Sequence, residues 1–318
     1  MTEKRWIVGI DLGGTYIKGA ILDTVGTILV DAAVPTGAEH GSEYVLQQIK
    51  NLVHRLLEKG QIKIQEVLGI GIGVPGLPDY ERGSVVFAPN LQWRNVELAQ
   101  PLEQSLGVPV FLDNDANVAA LGEQWCGAGG GSQHMVLITI GTGIGCGLIL
   151  NGEIYRGAAF SAGEIGHITM DPQGPACNCG RRGCLENLTS ATAIMRMAQE
   201  AVDQGQETLL AQVACLSPKE VFALAQQGDV VAKQIIDQVV FYLGWAIGNL
   251  VNTLNPQLVL LGGGVAQAGE LFFEPIRQRV QACTLEAPGR TVRIAGASLG
   301  NKAGAIGAAA LALQEFTK

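Results

Sequence analysis

Residues 7–23, IVGIDLGGTYIKGAILD, and residues 135–151, MVLITIGTGIGCGLILN, align without a gap at an offset of 128 positions. Gly13 falls on Gly141, Gly19 on Gly147, Ile21 on Ile149 and Leu22 on Leu150. Each copy reads as an apolar, β-branched run, a Gly-rich turn and a second such run, the pattern of two buried strands. A second pair recurs in the same order. VLGIGIGVPG at 67–76 matches LVLLGGGV at 258–265, with Gly71 on Gly262 and Gly73 on Gly264 at an offset of 191. Short Gly-rich strands match one another by chance, so it is the shared order that argues for duplication. The expected architecture is two α/β domains facing each other across a cleft, where ligands of α/β proteins commonly bind.

Helices fill the intervals. Residues 43–59 place Val45, Ile49, Leu52, Val53, Leu56 and Leu57 on one face, with Gly60 as the stop. Residues 116–126 start behind Asp113-Asn114-Asp115, which has N-cap chemistry, and Ser190 caps 191–203. A long apolar helix is expected over 230–254, ended by Asn255-Pro256. A small-residue helix over 302–315 is suited to close packing on a sheet.

The 318 residues are too many for one ordinary core and suit two domains. The 43 glycines lie within apolar segments, so they read as turns and close backbone approaches rather than a linker. Net charge is −8 and no basic run exceeds two residues, which argues against a nucleic-acid partner. No apolar leader precedes Trp6, and no apolar run approaches the ~18 residues that span a bilayer. A cytoplasmic protein without a membrane partner is expected. Seven cysteines, an odd number in a long chain, do not suggest a disulfide framework.

Three stretches carry chemistry. Asp11-Leu-Gly-Gly-Thr15 turns between two strands. Its glycines allow close approach of a phosphate to successive N–H groups, and Asp11 is suited to hold water around Mg²⁺. A plain hairpin turn explains Gly-Gly as well. The recurrence as Gly141-Thr142-Gly143 favours phosphate, and Gly262-Gly263-Gly264 adds a third close approach. Asp113-Asn114-Asp115 ends the strand expected at 108–112, where a carboxylate can accept a hydroxyl proton during phosphoryl transfer. If the strand continues that far, Asp113 and Asp115 face the same side, and alternation does not separate them. Finally, His167, Cys177, Cys179 and Cys184 form a Cys₃His set within 18 residues, a usual closed structural zinc site. Glu164 and Glu186 flank it and are available to accept hydrogen bonds from hydroxyls.

The chain as a whole resembles the ROK family of bacterial repressors and sugar kinases. The likeness runs through DLGGT at 11–15, VPG at 74–76, Asn90-Leu-x-Trp93, DND at 113–115, GTGIG at 141–145, GEIGH at 163–167, CNCGRRGCLE at 177–186, GGG at 262–264 and LGNKAGAIGAA at 299–309. Tyr16 stands where many relatives have Lys or Thr. The resemblance implies two ribonuclease-H-like domains of the actin/hexokinase type. The first covers 1–115 with the helix at 302–318 returning to it, and the second covers 116–301 with a zinc loop at 164–186. It implies Asp115 as catalytic base, and sugar contacts from Gly76, Asn90, Asn114, Asp115, Glu164, His167 and Glu186. Nucleotide contacts would come from Asp11, Gly13, Gly14, Thr15, Thr142, Gly143, Gly263 and Gly264. The implied zinc ligands are His167, Cys177, Cys179 and Cys184.

The implied activity is ATP- and Mg²⁺-dependent phosphorylation of a hexose, glucose first, in a homodimer or homotetramer. N-acetylmannosamine, allose and fructose are the alternative substrates. A sugar-sensing regulator without catalysis is the alternative class. Family repressors carry a DNA-binding module ahead of the first strand, where this sequence has five residues, so the kinase is expected.

Overall fold

The computed structural model describes residues 5–317; Met1–Lys4 and Lys318, which belong to the expected first domain and terminal helix, lie outside the described residues. In chain order the strands are β1 (Trp6–Leu12), β2 (Tyr16–Asp23), β3 (Ile28–Pro35), β4 (Val67–Val74), β5 (Leu77–Asp79), β6 (Ser84–Ala88), β7 (Trp93–Glu97), β8 (Val110–Asn114), β9 (Met135–Ile140), β10 (Ile144–Leu150), β11 (Glu153–Ile154), β12 (Leu258–Gly262) and β13 (Arg293–Gly296). Two five-stranded sheets have the orders β3-β2-β1-β4-β8 and β11-β10-β9-β12-β13, the same order position for position. In the first, β1 pairs antiparallel with β2 and parallel with β4, which pairs parallel with β8. In the second, β12 pairs parallel with both β9 and β13. The duplication read from the glycine spacing is therefore a duplication of fold. Strands β5–β7 form a separate antiparallel sheet.

The helices are α1 (Ser42–Gly60), α2 (Ala99–Leu106), α3 (Asp115–Cys126), α4 (Glu186–Thr189), α5 (Ala191–Asp203), α6 (Pro218–Gln226), α7 (Val230–Leu254), α8 (Glu270–Cys283), α9 (Glu286–Thr291) and α10 (Ala303–Thr317). In the first sheet, side-chain alternation divides the core. Val8, Ile10 and Leu12 cluster with Val45, Ile49, Leu52, Val53, Leu56 and Leu57, the six residues expected on the buried face of α1. Ile7, Ala20 and Leu22 face the other way, onto Ala305, Ile306, Ala309 and Ala312 of α10. A Cβ on Gly9 would meet the α10 backbone at Ala305 and Ala309, and one on Gly71 would meet Ala308. The terminal helix thus lies backbone to backbone on the sheet, which is why its small residues and these strand glycines go together.

Contacts divide the chain into two compact units. One holds the residues up to Gly131, Gly147–Ala162 and those from Ser298 onward; the other holds Ser132–Cys146 and Gly163–Ala297. The boundary expected at 115 lies after Gly131 instead, so α3 is not part of the second unit. That helix stays in the first unit because it packs on α10 with almost no side chain between them, through Gly122 and Gly307.

Three local expectations are corrected. Gly60 does not stop α1: it is the last helical residue, and Gln61 takes the left-handed cap at φ 54°. The strand expected at 108–112 runs instead from Val110 to Asn114. Helix α7, with a mean hydropathy of 1.3, is long and apolar enough to cross a membrane by length and composition. More than half of that span (56%) is buried inside the protein, where it packs on α4, α5, α6 and α8.

Candidate functional site

In the first unit the junction of β8 and α3 brings the DND triplet to a point where the backbone changes from extended to helical. Asn114 is the cap: its Oδ1 accepts the N–H groups of Ala116 at 2.8 Å and Asn117 at 3.3 Å, and its Nδ2 donates to the Gly76 carbonyl at 2.9 Å. Gly76 holds φ 88°, and a Cβ there would collide with the Phe87 carbonyl, so a glycine is required for structural reasons alone. Because the strand ends at Asn114, the two acids no longer share a side. Asp113 is turned inward, 2% exposed, and accepts from the Asn114 N–H, Asn117 Nδ2 and Arg156 Nε at 2.7, 2.8 and 2.6 Å. Asp115 is exposed in the first turn of α3, where it accepts the Ala116 N–H at 2.9 Å.

The Asp11–Thr15 turn in the same unit is shaped by Thr36, a fully buried residue that sequence reasoning missed. Its hydroxyl donates to the Gly13 carbonyl at 2.7 Å and its N–H to the Thr15 carbonyl at 2.9 Å. Gly14 and Thr15 are exposed, and Gly14 lies beside Asn90, which sits exposed in the single helical turn Pro89–Leu91. Asp11 lies against Gly304 at the start of α10. Burial pushes its carboxyl above the ordinary range, and Lys18, 3.9 Å away, offsets part of that rise.

In the second unit, Gly141–Gly143 joins β9 to β10 with Thr142 exposed. The carbonyls of Gly141 and Thr142 accept from the Ala191 N–H and the Thr192 hydroxyl, both at 2.8 Å. Glu186, the first residue of α4, accepts the Ile144 N–H at 2.9 Å. A Cβ on Gly143 would strike that same carboxylate. A side chain at 143 would therefore have to displace the Glu186 carboxylate from its place beside the Ile144 N–H. Gly263, at φ 85°, backs onto Ile140 at the end of β9, and Gly264 beside it is exposed. Glu164 is exposed, and its charge adds to the burial that pushes the Cys146 thiol up.

His167, Cys177, Cys179 and Cys184 converge, with all four ligand atoms within 4.8 Å of one another. Cys179 Sγ is 3.6 Å from Cys184 Sγ, and Cys177 Sγ is 3.7 Å from His167 Nδ1. A tetrahedral zinc with Zn–S about 2.3 Å needs ligand atoms about 3.5–3.8 Å apart, so the donor set fits. The backbone and side chain of Arg181 hold the Cys179 thiol down to about 6, while burial pushes Cys184 up. All seven cysteines are free of disulfides.

Arg156, Asn117 and Thr36 were not legible in the sequence. A lone arginine in IYRGAAF, an Asn inside a helix and a Thr after a strand carry no spacing signal.

The repeated sheet order, with a Gly-rich turn between the first two strands of each copy, defines a ribonuclease-H-like chain of the actin and hexokinase class. Within that class it belongs to the ROK family, whose profile matches residues 7–315. A glucokinase of Halalkalibacterium halodurans is 43% identical over 98% of this chain and 96% of its own length. A xylose repressor of Caldicellulosiruptor bescii is 34% identical over 98% of this chain and 78% of its own. The crystal structure of a ROK family glucokinase from Streptomyces griseus, in complex with glucose and AMPPNP, superposes with a TM-score of 0.80 at 35% identity, covering 97% of this chain and 99% of that one.

Proposed function

We propose that the chain is an ATP-dependent hexose kinase that converts glucose to glucose 6-phosphate, with Asp115 as the base. The observation that carries this reading is the division of labour at the β8–α3 junction. Asp113 is buried and fully occupied, and Asp115 is presented to solvent at a helix N-terminus. The glucokinase relatives supply the substrate class. In the reaction the sugar O6 forms a bond to the γ-phosphorus, the bond from that phosphorus to the bridging oxygen of ADP breaks, and Asp115 accepts the O6 proton. Phosphoryl transfer asks little covalent work of the protein, so Asp115 chiefly orients the hydroxyl.

Asn90, Asn114, Glu164, His167 and Glu186 are assigned to the remaining sugar hydroxyls, with Gly76 beside them. Asp11, Gly13, Gly14, Thr15, Thr142, Gly143, Gly263 and Gly264 are assigned to the nucleotide. Asp11 suits Mg²⁺, because its burial is a cost that a cation relieves. Bound there, Mg²⁺ would offset the phosphate charge. Zinc held by His167, Cys177, Cys179 and Cys184 would be structural, since four protein ligands leave no open position. ATP as donor and seven free thiols fit a cytoplasmic location. Family resemblance supports a homodimer or homotetramer, which light scattering checks.

The test is a coupled ADP-release assay over glucose, fructose, allose, N-acetylmannosamine and xylose, on wild type and Asp115→Asn. Glucose should give the highest kcat/KM, and Asp115→Asn should lower kcat by about 10²–10⁴-fold while ATP still binds. A variant within a few-fold of wild type removes Asp115 from the mechanism. The likeness to xylose repressors keeps a second reading, a sugar-sensing regulator, which predicts sugar binding without ADP release.

A further inference from the structure

Asp113 grips both ends of the first turn of α3. Its carboxylate holds the backbone N–H of Asn114, the residue before the turn, and the side chain of Asn117, the residue that closes it. Asp115 lies between those two anchors. A carboxylate 2% exposed needs a partner, because leaving a charge buried and unpaired is costly. It pairs with Arg156, Nε to Oδ2 at 2.6 Å, and this guanidinium is itself mostly shielded, with 16% of the side chain exposed. Arg156 comes from a distant segment just after β11. Its guanidinium lies 4.2 Å over the ring of Tyr80, which meets Phe160 edge-on at 5.2 Å, and its carbonyl accepts the Ala162 N–H at 2.9 Å. The arginine is thus fixed from behind by an aromatic pair and by its own loop.

We infer that Arg156 is a positioning residue for Asp115, acting through Asp113; this rests on the reading of Asp115 as the base. Without Arg156, Asp113 is left buried with no ion-pair partner, and its carboxylate turns toward water or toward other donors. Either response weakens its hold on Asn114 and Asn117, and the first turn of α3 moves. A displacement of about 1 Å at a reacting group costs about 10²-fold in rate. Lysine restores the charge but neither the planar fork nor the stacking on Tyr80, so it recovers part of the loss.

The experiment is steady-state kinetics, well below the unfolding temperature, on Arg156→Met, Arg156→Lys and both in the Asp115→Asn background. Arg156→Met should lower kcat by about 10²-fold with KM for ATP unchanged, and Arg156→Lys should recover at least several-fold of that. In the Asp115→Asn background, Arg156→Met should cost no more than a few-fold further, because the group it positions is gone. Wild-type kcat in a folded Arg156→Met enzyme overturns the inference, as do losses that multiply in full in the double variant. If Arg156→Met does not fold, Tyr80→Leu serves. It removes only the ring behind the guanidinium and should still lower kcat several-fold; an unchanged kcat there overturns the inference. Failure of the base assignment looks different, with Asp115→Asn alone near wild type.

Discussion

Gly122 stands in the middle of α3, a position where helix propensity by itself favours alanine by about 1 kcal/mol. The tertiary structure reverses the sign. A Cβ at Gly122 would lie 2.7 Å from the Ala303 carbonyl oxygen, 2.9 Å from the Gly307 nitrogen and 3.1 Å from the Gly307 Cα. All three are backbone atoms of α10 or its first residue, so no side-chain rotation relieves the contact. Reaching ordinary van der Waals separation requires α10 to withdraw by roughly 1 Å. That retreat is blocked on the opposite side, where Gly9 and Gly71 bring the sheet against the backbone at Ala305, Ala308 and Ala309. Overpacking of this kind costs about 1–3 kcal/mol, and a rigid backbone on both sides places it at the upper end. After the propensity gain the net loss is about 2 kcal/mol, which lowers the midpoint of thermal unfolding by roughly 4–8 °C. Circular dichroism or scanning calorimetry on Gly122→Ala reads it. Gly60→Ala is the control in the same unit: its Cβ would come nearest the flexible tip of Ile62 at 3.2 Å, with Val30 Cγ2 in ordinary contact at 3.5 Å, and it should be neutral or slightly stabilising. A Gly122→Ala protein as stable as wild type, or more so, would show that α3 and α10 are not in backbone contact.

Two further outcomes follow from the second unit. Purified protein should carry about one zinc per chain, and its chelation should lower thermal stability and loosen the segment bearing Glu164 and Glu186; absence of zinc on elemental analysis, with Cys177→Ser fully stable and active, refutes the site. Asp229 caps α7 by accepting from Ala232, Leu209 and Thr208; burial alone would raise its carboxyl, but these hydrogen bonds outweigh it and hold it below the ordinary carboxylate range. A depressed folded value stabilises the protein above the unfolded pKa and is lost as pH falls through it, so Asp229→Ala should cost about 1–2 kcal/mol at pH 7 and progressively less below about pH 4. Denaturant titrations showing the same difference at pH 3 and pH 7 would exclude the carboxylate charge as its source.

The duplicated halves, the buried face of α1, the cap at Ser190 and the Cys₃His set were legible in the chain because each rests on spacing within a short segment. Period, capping chemistry and ligand count are local properties, and local physics sets them before the chain is folded. Other choices were not local. Alternation could not divide Asp113 from Asp115; that needed the strand to end at Asn114, and it needed Arg156, some forty positions later, to arrive beside Asp113. Gly143 read as a phosphate turn, yet only the folded chain brings Glu186 to the place a side chain at 143 would fill. The membership of α3 was likewise decided by Gly122 meeting Gly307, a contact between helices almost two hundred residues apart. Burial of a charge and exclusion of a Cβ depend on which distant atoms arrive, and no window of sequence contains them.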